Sequence, residues 1–105
     1  MIKSLPQCLK EIASFPEDVR GDLADALARL DEGHTLGMPL SRPMPSIGKG
    51  VHELRFRDRS GIYRVIYVLV GAGLIYLVHG FIKKDQKTPR ENIDLVKRRL
   101  KEIGR

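Results

Sequence analysis

Three observations on the 105-residue sequence predict an α+β fold. Apolar residues recur at helical spacing before residue 31 and again after Pro89, the hydrophobic period changes to two from Val51, and the period-two runs are separated only by short turn signals. Strands joined by tight turns pair as an antiparallel meander, and helices with an apolar stripe cover a sheet face. The chain therefore reads as a small three-stranded antiparallel sheet, with two helices before it, one after it, and amphipathic helices covering one face.

Each element has its own signal. Leu5, Leu9 and Ile12 keep helical spacing behind Ser4, an N-cap residue type, with Pro6 in the first turn; a short helix over 5–14 is predicted, ending at Phe15-Pro16. In SFPEDVRGDLADALARLDEG, Pro16, Glu17 and Asp18 suit a first turn, Val19, Leu23, Ala26, Leu27 and Leu30 fall on one stripe, and Gly33 is a C-cap candidate. Residues 34–50, dense in glycine and proline, read as loop. VHELRFRD then alternates Val51, Glu53, Arg55 and Arg57 against His52, Leu54, Phe56 and Asp58, the pattern of a strand with one wet face. DRSG and GAG are turns flanking IYRVIYVLV, and LIYLVHGFIK follows with the same β-branched and aromatic character. Pro89 and Glu91 open a last helix with Ile93, Val96, Leu100 and Ile103 on its apolar stripe and Lys97, Arg98, Arg99 and Lys101 off it. Met1–Ser4 is long enough for a stub of edge strand.

Size and composition describe one small globular domain over 1–105, with 42% hydrophobic and 30% charged residues. The net charge of +6 is unevenly spread: residues 1–50 hold 6 basic and 7 acidic side chains, residues 51–105 hold 13 and 6. One basic surface for an anionic partner is expected, nucleic acid before anionic lipid. Cys8 is the sole cysteine, which excludes an intrachain disulfide and a cysteine-rich zinc site and fits a reducing, cytoplasmic setting. The most apolar stretch, Val65 to Val78, is shorter than the roughly 20 residues a membrane helix needs and has neither the position nor the cleavage pattern of a signal peptide.

The candidate chemistry is cationic. Arg55 and Arg57 share a strand face, and a tight DRSG hairpin brings Arg64 within reach of it. Guanidinium groups fork onto phosphate oxygens and stabilise a dianionic transition state; the ordinary alternative is a solvated strand face balanced by Glu53 and Asp58. His79, in period two with Leu77, Phe81 and Lys83, is a proton shuttle or a structural histidine. Lys83, Lys84 and Lys87 crowd the strand exit, as phosphate contacts or as ordinary solubilising residues. Phe81 and Tyr63 offer aromatic surface for an unstacked base, or belong to the core. His34 and His52 share no metal-ligand spacing with His79, and neither a carboxylate pair, a Ser/His/Asp spacing nor a glycine-rich phosphate loop is present. No metal or small-molecule cofactor is expected.

The segments GVHELRFRDRSGIYRVIYVL and LIYLVHGFIKKDQKTPRENIDLVKRRL resemble the HigB branch of the RelE/ParE-type toxins of bacterial toxin–antitoxin modules, the phage-derived group, over about Phe15 to Leu100. The resemblance implies a small α+β domain with a curved antiparallel sheet, helices packed on one side, and a metal-independent mRNA endoribonuclease. Such an enzyme acts on mRNA in the ribosomal A site, by attack of the ribose 2′-hydroxyl on the adjacent phosphate, and is silenced by a cognate antitoxin protein. It places Arg55, Arg57 and Arg64 on the scissile phosphate, and His79, Phe81, Lys83 and Lys84 at the strand end where an acid or base and a stacking group belong. Acid and base stay open among His79, Lys83 and Lys84. On this reading Arg55→Ala and Arg64→Ala abolish activity and spare the fold, whereas Leu54→Ala mainly destabilises.

The chain departs from that family in its short MIKSL start, which leaves a sheet edge open to an added strand, including one from an antitoxin. The ParE branch, which poisons gyrase without cutting RNA, supplies the alternative reading: a binding protein of the same fold, or an inactive relic that still binds its antitoxin.

Overall fold

The computed structural model describes residues 1–83 and 88–105. In chain order these form β1 (Ile2–Ser4), α1 (Pro6–Ala13), α2 (Glu17–Asp31), β2 (Ser41–Pro43), β3 (Val51–Asp58), β4 (Gly61–Gly71), β5 (Leu74–Lys83) and α3 (Arg90–Glu102). The strands make one sheet in the order β1-β5-β4-β3-β2. The expected meander is β3, β4 and β5, each antiparallel to the next. The edge stub expected over Met1–Ser4 is β1, which pairs parallel to β5, and the structure adds β2, antiparallel to β3. The sheet is thus mixed and five-stranded. β2 comes from a segment whose prolines read as loop; Pro43 is tolerated there because β2 is an edge, where a missing N–H breaks no ladder.

The helix starts rely on proline rather than on side-chain caps. Pro6 occupies the first turn of α1, and Pro16 and Pro89 sit at the N-cap positions of α2 and α3. Ser4 is not the N-cap of α1: that position is Leu5, and the Ser4 hydroxyl donates to the Leu5 carbonyl at 3.0 Å.

Cross-strand register assigns the faces. Leu54, Val65 and Gly80 form one rung across β3, β4 and β5, and Phe56, Tyr63 and Ile82 the next on the same face. That face meets α1 and α2: the rings of Phe15 and Tyr63 lie edge-on at 4.9 Å, and a Cβ on Gly80 would sit 3.2 Å from Ile12 and 3.3 Å from Phe15. A side chain there would push Ile12 and Phe15 back by a few tenths of an ångström. The opposite face carries the rungs Glu53–Ile66–His79, Arg55–Arg64–Phe81 and Arg57–Ile62–Lys83. Here α3 packs, through Asn92 on His79 and Leu100 near Gly48. Helices therefore cover both faces, not one. The alternation read in β3 is real, but its wet face dries out toward the start of the strand: Val51 and Glu53 are buried and exposure begins at Arg57.

A bulge at Val78 sets the phase of β5, because Tyr67 pairs with Leu77 while the preceding Ile66 pairs with His79. His79 consequently lies on the opposite face from Leu77, against the simple period-two reading. Beyond Leu77, where β1 stops, side chains close the β5 edge. Arg99 donates to the Val78 carbonyl at 3.0 Å, and the Gly80 N–H donates to Glu11 at 3.1 Å. The edge that the short N-terminal segment was expected to leave open is closed over Val78–Gly80.

Candidate nucleic-acid interface

The three rungs on the sheet face that α3 meets at His79 bring six of the sequence-predicted site residues together: Arg55, Arg57, Arg64, His79, Phe81 and Lys83. Tyr63 does not join them. It faces α1, is 7% exposed, and shares a hydrogen bond with Ser60 at 2.6 Å, so it belongs to the core. Lys84 and Lys87 lie outside the described residues.

The gathered residues differ in what they can touch. Arg57 is exposed, and with Arg55, Ile62, Pro39 and Leu40 it lines an open cleft of about 330 Å³. The Arg55 side chain is 17% exposed; its Nε donates to Glu53 Oε1 at 2.7 Å. Arg64 and Glu53 are fully buried. Arg64 Nη1 lies 3.8 Å from Glu53 Oε1 and donates to the Thr88 hydroxyl at 2.8 Å, which in turn donates to Glu53 Oε2 at 2.8 Å. One internal carboxylate thus stands between two guanidinium groups, and Thr88, just before α3, ties the assembly together. Arg64 is a buried member of this cluster rather than an open phosphate contact.

His79 is 4% exposed and bonded at both ring nitrogens. Nδ1 meets Glu11 Oε1 at 2.9 Å and Nε2 meets the Asn92 amide at 2.8 Å. A carboxylate only accepts, so Nδ1 carries the proton and Nε2 accepts from Asn92, the neutral tautomer. Burial holds the His79 pKa below its ordinary value, aided by the nearby Arg99 guanidinium and opposed by Glu11. Burial also pushes the Glu11 carboxyl up, but donation from Arg99, His79 and the Gly80 N–H outweighs it and leaves Glu11 below the usual carboxylate range. A histidine engaged on both sides is a brace, not an open shuttle. Its ring stacks on Phe81 at 4.8 Å and 19°, which fixes the half-buried Phe81 ring beside the Arg55–Arg64 rung.

Sequence reading missed Glu11, Thr88, Asn92 and Arg99. Arg99 lies off the apolar stripe of α3 beside the exposed bases Lys97, Arg98 and Lys101, yet it is 9% exposed. Glu53 alone had a legible signal, its period-two spacing with Arg55. Among the described residues, no three His, Cys, Asp or Glu side chains gather to hold a metal ion, and no helix is long and apolar enough to cross a membrane.

Residues 10–101 match the family described as "Phage derived protein Gp49-like (DUF891)". The chain belongs to this Gp49-like family. Its fold is that of RelE: the isolated Escherichia coli RelE toxin superposes with a TM-score of 0.51 at 19% identity, over 93% of this chain and 96% of that one. The toxin–antitoxin complex of E. coli RelBE gives 0.49 at 18% identity, over 83% of this chain and 98% of that one. No match was found among curated protein sequences. The basic rungs of this Gp49-like chain thus stand on a RelE-like sheet whose other face is covered by α1 and α2.

Proposed function

We propose that this chain is the toxin of a toxin–antitoxin module and acts as a metal-independent, HigB-like endoribonuclease on translated mRNA. The observation that carries the reading is the register that sets Arg55, Arg64 and Phe81 in one rung, with Arg57 and Lys83 in the rung beside it. Guanidinium and ammonium groups next to an aromatic ring are the pieces needed to hold a phosphodiester while its neighbouring base stacks. In the proposed reaction the 2′-oxygen attacks phosphorus, the bond to the 5′-oxygen breaks, and a cyclic phosphate forms. Arg55 and Arg57 offset the charge that builds on the phosphoryl oxygens. Lys83 and Lys84 are the candidates to move the protons, since both nitrogens of His79 are engaged. His79 serves instead by holding Phe81.

One observation favours the second reading, a binding protein of the same fold without nuclease activity. The Arg55 and Arg64 charges already face a buried carboxylate, which lessens the pull of this face on phosphate. Induced expression separates the two. The nuclease arrests growth and leaves new RNA ends inside translated messages and none in the same message stripped of its start codon. DNA breaks without RNA cuts support a gyrase poison, and no effect at all supports a relic.

A further inference from the structure

Glu53 and Arg64 have no exposure, yet Ile62, Ile66 and Val68 on the same sheet face show that this layer accepts apolar side chains. Replacing a buried ionic group by apolar side chains of similar size is often neutral or stabilising, so stability alone does not account for the charges. What they accomplish is orientation. A guanidinium only donates and a carboxylate only accepts. The Thr88 hydroxyl does both: it takes a hydrogen bond from Arg64 Nη1 and gives one to Glu53 Oε2, each at 2.8 Å. The other oxygen of Glu53 grips Arg55 at Nε, 2.7 Å away. The relay Arg64–Thr88–Glu53–Arg55 therefore runs from β4 through Thr88, next to the N-cap Pro89 of α3, to β3, where the Arg55 guanidinium is part exposed beside the open cleft.

We propose that Thr88 is a positioning residue for RNA cleavage, acting through Glu53 to aim the Arg55 guanidinium at the scissile phosphate. The inference rests on the ribonuclease reading and names what holds its phosphate contact in place. Threonine is required here for its hydroxyl and not for its volume, so serine should serve and valine, its near-isostere, should not.

The test uses purified protein on ribosomes carrying a translated message, with kcat and KM measured for wild type, Thr88→Ser, Thr88→Val and Thr88→Ala, and folding followed by circular dichroism. Misplacing a catalytic group by an ångström costs about 100-fold, so Thr88→Val and Thr88→Ala are expected to lose on the order of 100-fold in kcat with KM little changed, and Thr88→Ser to stay within about threefold of wild type. Equal activity of Thr88→Val and wild type overturns the proposal, as does an equal loss in Thr88→Ser. Unfolding of both hydroxyl-free variants makes Thr88 a structural anchor and also overturns it. A wild-type protein that cuts no message refutes the ribonuclease reading itself, a result distinct from all of these.

Discussion

Arg99 and Glu11 meet as a two-pronged pair, Nη1 to Oε1 at 2.8 Å and Nη2 to Oε2 at 3.0 Å, joining α3 to α1 across 88 positions of sequence. The same Nη1 holds the Val78 carbonyl, and the same Oε1 accepts from Gly80. The pair thereby replaces the backbone partner that β5 lacks once β1 ends. The Arg99 side chain is 11% exposed and that of Glu11 26%, and removing one partner leaves the other partly desolvated. Glu11→Ala or Arg99→Ala is expected to lower unfolding free energy by about 3 kcal/mol in urea titration. Arg99→Lys should recover little, because an ammonium cannot fork onto both oxygens.

Acid should weaken the fold in two stages. The folded-state pKa of His79 lies below its ordinary 6.5, so as pH drops past that value the unfolded chain takes up a proton that the folded chain refuses. Glu11 behaves likewise from its ordinary 4.5 downward. Stability is therefore fully present above about pH 7 and declines from pH 6.5 as the medium becomes more acidic. Melting temperatures between pH 8 and pH 5 check this, and His79→Gln should flatten the upper part of the profile. A melting temperature that rises on acidification contradicts it.

Cys8 offers a probe of the junction between α1 and the sheet. It is fully buried, and burial pushes its pKa up to about 12, so almost no thiolate exists near neutrality. A disulfide reagent at pH 8 is expected to leave the native protein unlabelled and to react once urea opens it. Rapid labelling of the native form would mean that α1 lifts from β5.

Burial separates the arginines into two kinds. Arg57 is exposed, so Arg57→Ala should change stability by no more than about 0.5 kcal/mol and lower the salt dependence of RNA binding by about one unit of slope. Arg64→Ala is different. It deprives buried Glu53 and Thr88 of a partner and should cost about 3–5 kcal/mol, contrary to the sequence-based expectation that the fold is spared. Leu54→Ala, with no exposure on the face of α1 and α2, should cost about 2–5 kcal/mol. Chemical unfolding of the three variants side by side reads the order.

What was legible follows from what periodicity encodes. The run from Val51 to Asp58 and the two turns after it specify the meander, and with it the juxtaposition of Arg55 and Arg64, because tight hairpins leave little choice of register. The edge stub over Met1–Ser4 is present as β1, whereas β2, at three residues inside a segment dense in glycine and proline, is too short for alternation to register. Burial of Arg99 and His79 was hidden for another reason. Both depend on Glu11, which is far away in sequence and looks like any other polar residue of an amphipathic helix until α1 is folded against β5. The face on which α3 packs depends likewise on a crossover that local patterning does not record.

The extra residue at Val78 has a further effect on how this chain can be compared with others. Downstream of it, every side chain of β5 has exchanged sides relative to an uninterrupted strand. An alignment that carries residues 79–83 across without a gap would set Gly80 in the place of Phe81, and Phe81 in that of Ile82, pointing the aromatic ring away from the arginines. Any reading of relatives by position alone must therefore first establish whether they share this one-residue insertion.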